Sequence, residues 1–442
     1  MFRALRRRPD LPSVGSGISA FIGMSSATAA LILLTSRPVE DIIVATFLLL
    51  AAYAVPVAAY EIFVRKVHLK PTTGLDWTLD RPVHWNRVAI KFLGLVGVIG
   101  LLCLFHTFIR FYPIYRVVTP WDAVLKLAPF AAPVIFAYMA AIDRRMVQPE
   151  DGYCKAGRLL LLDFREENFA GMKDFALGWI IKGIFWPIMF TYLAYNLPDL
   201  HFNRPQLGFN PVMAVLYVSS FIIALELTVV VTGYTTTFRV FDSHIRSANP
   251  FLVAWVVTLI CYEPFSYVSF GQIFEFQNQE DWVGAIWRHP NLMYPWLAGI
   301  VASYILWIWA TAMFGLRWSN LTNRGIVTNG PYRFTKHPDY FAKSVFFWFT
   351  AVPFFTAMDT RHAITGTIAL IITNLVYYGR ARVEEMHLSE DPDYVEYALL
   401  MNRYSVFAPL ARVLPFMVYR APDGRTALED EPPAMAAGVP GE

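Results

Sequence analysis

The chain alternates long apolar stretches with shorter polar ones, and the apolar stretches recur at about 20 residues, the length that crosses a hydrocarbon core as a helix. Ten of them read as spans, at roughly 15–35, 42–64, 88–109, 123–142, 174–197, 209–236, 250–270, 294–314, 341–355 and 362–386. Backbone groups inside a bilayer must be satisfied within the segment, so helices are the predicted form. The ninth stretch is short and contains Pro353, which predicts a tilted helix or a tight helical hairpin with the tenth. The predicted class is all-α: a polytopic integral membrane protein of about ten transmembrane helices that ends in a helical hairpin. Residues 157–173 pair a short apolar run with charges and predict an amphipathic helix lying at the interface. The stretch 421–442 is rich in Pro, Gly, Ala and acids and predicts a disordered tail.

Composition sharpens this picture. Of 442 residues, 56% are hydrophobic and 16% charged, with a mean hydropathy of +0.42, whereas soluble domains carry roughly 25% charged residues. A net charge of +3 is too small to point to nucleic acid. Cys103, Cys154 and Cys261 lie far apart, and the nine histidines include no pair at metal-ligand spacing. Arg3, Arg6, Arg7 and Arg8 precede an apolar run of full span length, which favours a retained first span over a cleaved leader. With the N-terminus placed in the cytoplasm, the alternating segments hold 27 Lys and Arg on the cytoplasmic side and 6 on the other. That asymmetry predicts cytoplasmic termini and an even number of spans. An inner-membrane location in a bacterium is the expected setting.

The polar residues that carry chemistry fall in two blocks. The first reads Gly330-Pro331-Tyr332-Arg333-Phe334-Thr335-Lys336-His337-Pro338-Asp339-Tyr340 and sits just before a span. Gly-Pro marks a turn, and Pro338 restricts His337 to extended conformations and opens a helix. A helix start beside His, Arg and Tyr suits an anionic group. The second block, Arg380-Ala381-Arg382-Val383-Glu384-Glu385, follows the last span without a break, and Tyr394-Val395-Glu396-Tyr397 comes after it. If the helix continues, Arg380 and Glu384 are i,i+4 neighbours, and the adjacent Glu384 and Glu385 cannot both point the same way, so one is free to face inward. Each block alone also reads as an interfacial belt of aromatics and cations or as a solvated helix end. Together they offer carboxylates, cations and aromatic faces. S-adenosylmethionine, with its amine, carboxylate, ribose diol and positive sulfonium, calls for those groups.

This layout resembles the isoprenylcysteine carboxyl methyltransferase and phospholipid methyltransferase type of integral membrane enzyme. The resemblance covers about residues 315–410, with Gly-Pro-Tyr-Arg…His-Pro-x-Tyr before a hairpin and Arg-x-Arg-x-Glu-Glu after it. It implies an S-adenosylmethionine-dependent methyltransferase acting on a lipid or lipidated acceptor at the cytoplasmic face. It further implies cofactor contacts from Tyr332, His337, Pro338, Tyr340, Glu384 and Glu385, and a catalytic or substrate-carboxylate role for Arg382 and Arg333. Lys336 stands where the family has arginine, and Ala342 where it has glycine. The expected division is an N-terminal transmembrane scaffold of about seven helices at 1–290, a methyltransferase-like region at 291–420 and the tail. A carboxylate acceptor is already ionised near neutral pH, so alignment and exclusion of water matter more than a general base, and His337 reads as a positioning group.

Two alternatives remain at the level of sequence. One is a sterol-reductase-like membrane reductase using NADPH, which fits the length and span count. The adjacent glutamates speak against it, since a 2′-phosphate calls for cations. The other is a non-catalytic lipid-binding or transport protein. Glu226 and Glu263 lie inside predicted spans, where they either hold helices together or meet a polar headgroup, and Lys182 is a candidate partner for either.

Overall fold

The structure is a computed structural model that describes residues 10–79, 81–109, 120–202, 210–269, 282–351 and 359–427. Pro353, the four N-terminal arginines and most of the predicted tail lie outside the described residues. The chain is mostly helical. In order come α1 (Gly17–Ser36), α2 (Ile42–Ala59), α3 (Trp85–Ile109), α4 (Pro120–Asp143), α5 (Gly152–Leu160), α6 (Met172–Phe202) and α7 (Pro211–Thr235). A two-residue strand β1 (Ser247–Ala248) precedes α8 (Leu252–Leu259) and α9 (Met293–Ala312). Then come β2 (Thr322–Asn323), α10 (Pro338–Ala351), α11 (Thr360–Leu388) and α12 (Pro392–Tyr404).

Seven described helices are long and apolar enough to cross a membrane: α1, α2, α3, α4, α6, α7 and α9. They match the first six and the eighth of the ten predicted spans. The seventh predicted span is broken. Helix α8 stops at Leu259, and the chain turns before Pro264, whose missing N–H and ring interrupt a helix. Helix α10 is 14 residues long within the described part. Helix α11 has 29 residues, but its Thr, Asn, Gly and Tyr content keeps it out of the seven. The predicted interfacial helix at 157–173 is also displaced. Helix α5 begins earlier, capped by Asp151, and stops at Leu160, after which Leu162 takes a left-handed φ of 64°. It starts early because it packs on α3, where a Cβ at Gly157 would meet the Ile90 carbonyl oxygen at 1.9 Å and one at Gly94 the Tyr153 carbonyl oxygen at 2.2 Å.

Caps explain most helix starts. Asp41 accepts from Ile43 and Val44 amides at α2, Asn210 accepts from the Val212 amide ahead of Pro211 at α7, and Asp391 precedes Pro392 at α12. The main core lies among α1, α2, α6 and α7, with Leu31, Leu49, Tyr53, Phe185 and Phe190 fully buried. Large apolar side chains such as Phe21, Leu33, Leu101 and Phe130 point outward instead. In a spanning bundle those are the lipid-facing positions.

Polar segments at 11–16, 65–75, 236–249 and 315–329 gather at one end of the bundle. The Val14 amide donates to Ile326, Arg65 donates to the Val14 carbonyl at 2.9 Å, and Arg239 donates to the Thr73 carbonyl at 3.0 Å. β1 pairs antiparallel with β2, Ser247 opposite Asn323. Two buried arginines bind these loops. Arg317 pairs with Glu61 at 3.0 Å and donates to the Asp242 and Phe241 carbonyls. Arg324 donates to the carbonyls of Gly233, Leu316, Trp318 and Ser243, so its charge rests on loop and helix-end dipoles.

His387 lies 2.9 Å from Ser247 Oγ at this end, and burial pushes its imidazole down to about 4. Burial does the same to His244, helped by surrounding guanidiniums, to about 3. Both stay neutral in the folded chain while the unfolded chain takes up protons below the ordinary value of 6.5. Stability is therefore full above about pH 6.5 and is lost as pH falls toward 4, by ~2 kcal/mol per histidine at pH 5. The melting temperature of detergent-purified protein should drop between pH 7.5 and pH 5, and His387→Gln should make the drop shallower. A melting temperature that is flat over this range contradicts the buried neutral imidazoles.

Candidate functional site

Both sequence blocks meet at this polar end. A 3-10 turn over Gly330–Arg333 carries the chain into α10, and Gly330 holds a φ of 59°, which suits glycine. Pro338 opens α10, so His337 sits immediately before its first turn. Helix α11 runs unbroken through the second block to Leu388. Helices α10 and α11 pack side by side: His337 meets Glu385, Tyr340 meets Tyr377 and Glu384, and Phe347 meets Tyr377. The connection between them lies outside the described residues.

The two adjacent glutamates have opposite surroundings. The Glu385 side chain is 5% exposed and is held by Lys336 Nζ at 2.6 Å, by His337 Nε2 at 3.2 Å and by the Arg382 guanidinium. Three groups on one carboxylate leave it little capacity for a ligand. Glu384 is 41% exposed; it accepts from the Tyr340 hydroxyl at 2.8 Å, and His337 Nδ1 lies 4.0 Å away. Its remaining lone pairs face outward. The His337 and Tyr340 rings stack with 5.5 Å between centroids. Burial pushes the Lys336 ammonium down while Glu385 pulls it up, and the ammonium also lies 5.1 Å from the Tyr419 ring centroid.

Arg380 departs from the expected self-paired helix end. It makes no ion pair with Glu384; its residue is 4% exposed and its guanidinium lies among three rings, 5.1 Å from Tyr340, 5.5 Å from Tyr377 and 5.7 Å from Tyr262. It donates to Asn320 Oδ1 at 3.3 Å, and its Nε has no partner among the described residues. Aromatic faces offset part of the cost of burying a guanidinium, and the unpartnered N–H leaves a donor for an anion.

Below this level, Lys343 bridges Asp339 at 3.0 Å and Glu226 at 3.9 Å and lies over the Trp307 ring, whose Nε1 donates to Glu226 at 2.6 Å. Glu226 thus ties α7, α9 and α10 together. Lys182 reaches neither Glu226 nor Glu263; it donates to Thr237 Oγ1 at 2.5 Å. Glu263 makes no side-chain hydrogen bond or ion pair among the described residues.

His337, Tyr340, Glu384 and Glu385 are therefore brought together, with Pro338 setting the start of α10. Arg382 is committed to Glu385. Arg333 is turned away and pairs with Asp10 at 3.1 Å near the surface. The Tyr332 ring is buried edge-on to Phe314, and its carbonyl accepts from Tyr397 Oη at 2.8 Å, so it braces the turn. Sequence reasoning placed Arg380 in the second block without a site role, and passed over Tyr377 and Tyr262. Helical spacing puts 377, 380 and 384 on one face of α11, a signal that was available. Tyr262 comes from the broken seventh span, and no local pattern pointed to it.

No curated protein and no solved structure matches the chain. Residues 292–390, less than a quarter of the chain, match the model of the isoprenylcysteine carboxyl methyltransferase (ICMT) family. That stretch contains both blocks and both helices of the site, and it overlaps residues 315–410, over which the sequence resembles the same family. The match implies a membrane methyltransferase.

Proposed function

We propose that the protein transfers a methyl group from S-adenosylmethionine to a lipid or lipidated acceptor bearing an anionic group, at the cytoplasmic face of the membrane. The observation that carries this reading is the convergence of His337 and Tyr340 with Glu384 from opposite ends of the α10–α11 pair, with an uncommitted Arg380 beside them. The gathering of the Lys- and Arg-rich segments at the same end supports the cytoplasmic placement.

The residues present fit this cofactor. Glu384 keeps acceptor capacity for amine or hydroxyl donors, and Tyr340 offers a ring to a sulfonium. The amides at the start of α10 suit a carboxylate, and the Arg380 Nε and Tyr394 Oη are buried polar atoms without partners among the described residues. When bound, S-adenosylmethionine supplies a methyl carbon to which an acceptor oxygen bonds as the carbon–sulfur bond breaks, its electrons staying on sulfur. The chain's own residues bind and orient. Glu385, fixed by Lys336, His337 and Arg382, sets the register of the two blocks and is a positioning residue. His337 stacks on Tyr340 and holds its ring. Arg380 takes the role expected of Arg333 and Arg382, holding the acceptor's anionic group in a cage that excludes water. An ionised acceptor needs no base, so its alignment is the main task. The apolar chain of the acceptor contributes through burial at about 0.8 kcal/mol per CH₂. In the reductase alternative, Lys336 and Arg382 are the cations a 2′-phosphate would require, and both are engaged by Glu385.

Adding S-adenosylmethionine should raise the melting temperature of detergent-purified protein while NADPH leaves it unchanged; the reverse pattern overturns the assignment. Loss of a charge-assisted hydrogen bond costs ~1.5–3 kcal/mol, so Glu384→Gln should weaken cofactor binding about 10- to 100-fold with little change in melting temperature. Glu385→Gln should instead lower the melting temperature, because it removes a buried charge from the Lys336 and Arg382 cations and weakens the contact with His337. Equal effects of the two variants on both readouts would refute the division of roles. Arg380→Lys should raise the acceptor's KM more than the cofactor's Kd, as read by turnover titrations of each.

A further inference from the structure

The N-terminal bundle encloses a cavity of about 990 Å³ that shares no lining residue with the site around Glu384. Its walls come from α3, α4 and α6, with Leu95, Ile99, Ile135 and Trp186 among them, and the end of α7 with residues 237–245 closes its polar end. This is the top of the roughly 300–1,000 Å³ that ligand pockets span, and far more than a small polar molecule needs. Apolar walls along spanning helices suit hydrocarbon.

Apart from Asp174, the charged groups of the polar end that form no ion pair among the described residues are cations. The Lys182 ammonium lies 4.5 Å from the Trp179 ring centroid, donates to Thr237 and pairs with no carboxylate among the described residues. Arg239 reaches the same wall with one nitrogen on the Thr73 carbonyl, and His244 Nδ1 has no partner among the described residues. Two of the three lining acids are already in use. Asp143 is held by Arg87 at 2.6 Å and Lys91 at 2.8 Å, and Asp151 caps α5 with Lys91 at 3.6 Å. Asp174 lies two turns from Lys182, toward the start of α6. After burial, the guanidiniums of Arg239, Arg246, Arg324 and Arg317 push the His244 imidazole down. An ammonium at the head of an apolar cavity is costly unless an anion meets it.

We propose that this cavity binds one membrane lipid with an anionic phosphate headgroup, its phosphate against Lys182 and Arg239 and its chains along α3 and α4. The headgroup chemistry is shared with free phosphate, but the apolar walls call for the lipid. The site is independent of methyl transfer and lies in the part of the chain that the family match does not reach.

Native mass spectrometry of the full-length protein in detergent tests this with phosphatidylglycerol, phosphatidylcholine and inorganic phosphate as probes. One phosphatidylglycerol should be retained per chain, at least tenfold more tightly than phosphatidylcholine, and inorganic phosphate should not compete at millimolar concentration. Lys182→Met should weaken retention at least tenfold. Ile99→Trp, which fills the wall and keeps the ammonium, should weaken it too, so the proposal stays testable if Lys182→Met does not fold. Equal retention of the two lipids, displacement by inorganic phosphate, or wild-type retention in both variants would overturn the proposal.

Discussion

A buried carboxylate shared by a lysine, an arginine and a histidine organises the C-terminal region. Glu385 lies on α11, while Lys336 and His337 lie on the turn before α10, some 48 residues away in the chain. A carboxylate at that depth costs several kcal/mol unless it is paired and hydrogen-bonded. The partners that neutralise it also dictate where α10 starts relative to α11. Once that register is set, the neighbouring Glu384 points the other way, Tyr340 reaches it, and Arg380, about one turn earlier, falls among aromatic rings. The division between a saturated glutamate and an available one follows from the helix: two adjacent positions lie about 100° apart, so Lys336 and Arg382 reach Glu385, Tyr340 reaches Glu384, and His337 sits between them.

The same logic binds this region to the N-terminal helices. Arg317 on Glu61 and Arg324 on four carbonyls are buried charges that only a closed set of loops can satisfy. They hold residues 233–249 and 315–325 together, and β1 and β2 add a short ladder between the same segments. His387 then touches Ser247, so the C-terminal end of α11 rests on a loop of the N-terminal bundle. The methyltransferase-like region is built onto the bundle through polar contacts at one end and apolar helix packing along the rest.

Much of this was legible because it rests on local chemistry. Runs of apolar residues mark α1, α2, α6 and α7, Asp41 and Asn210-Pro211 mark the starts of α2 and α7, and the motif residues His337, Tyr340, Glu384 and Glu385 converge at the candidate site. What was not legible depends on tertiary choice. Pro264 divides a run whose hydropathy alone reads as a span. Helix α5 starts where glycines let it approach α3, which hydropathy does not register. Arg333 and Arg380 look alike in sequence; only the fold sends one to Asp10 at the surface and the other into a ring of Tyr262, Tyr340 and Tyr377.

The central claim is that these groups together support methyl transfer to a lipid. Incubating the purified protein with membranes and S-adenosylmethionine labelled in its methyl group, then extracting with organic solvent, reads that claim directly. The account predicts label in a lipid-soluble product, formed in proportion to enzyme and abolished by Arg380→Ala. Label that remains entirely in the aqueous phase, with cofactor and membranes both in excess, would contradict it.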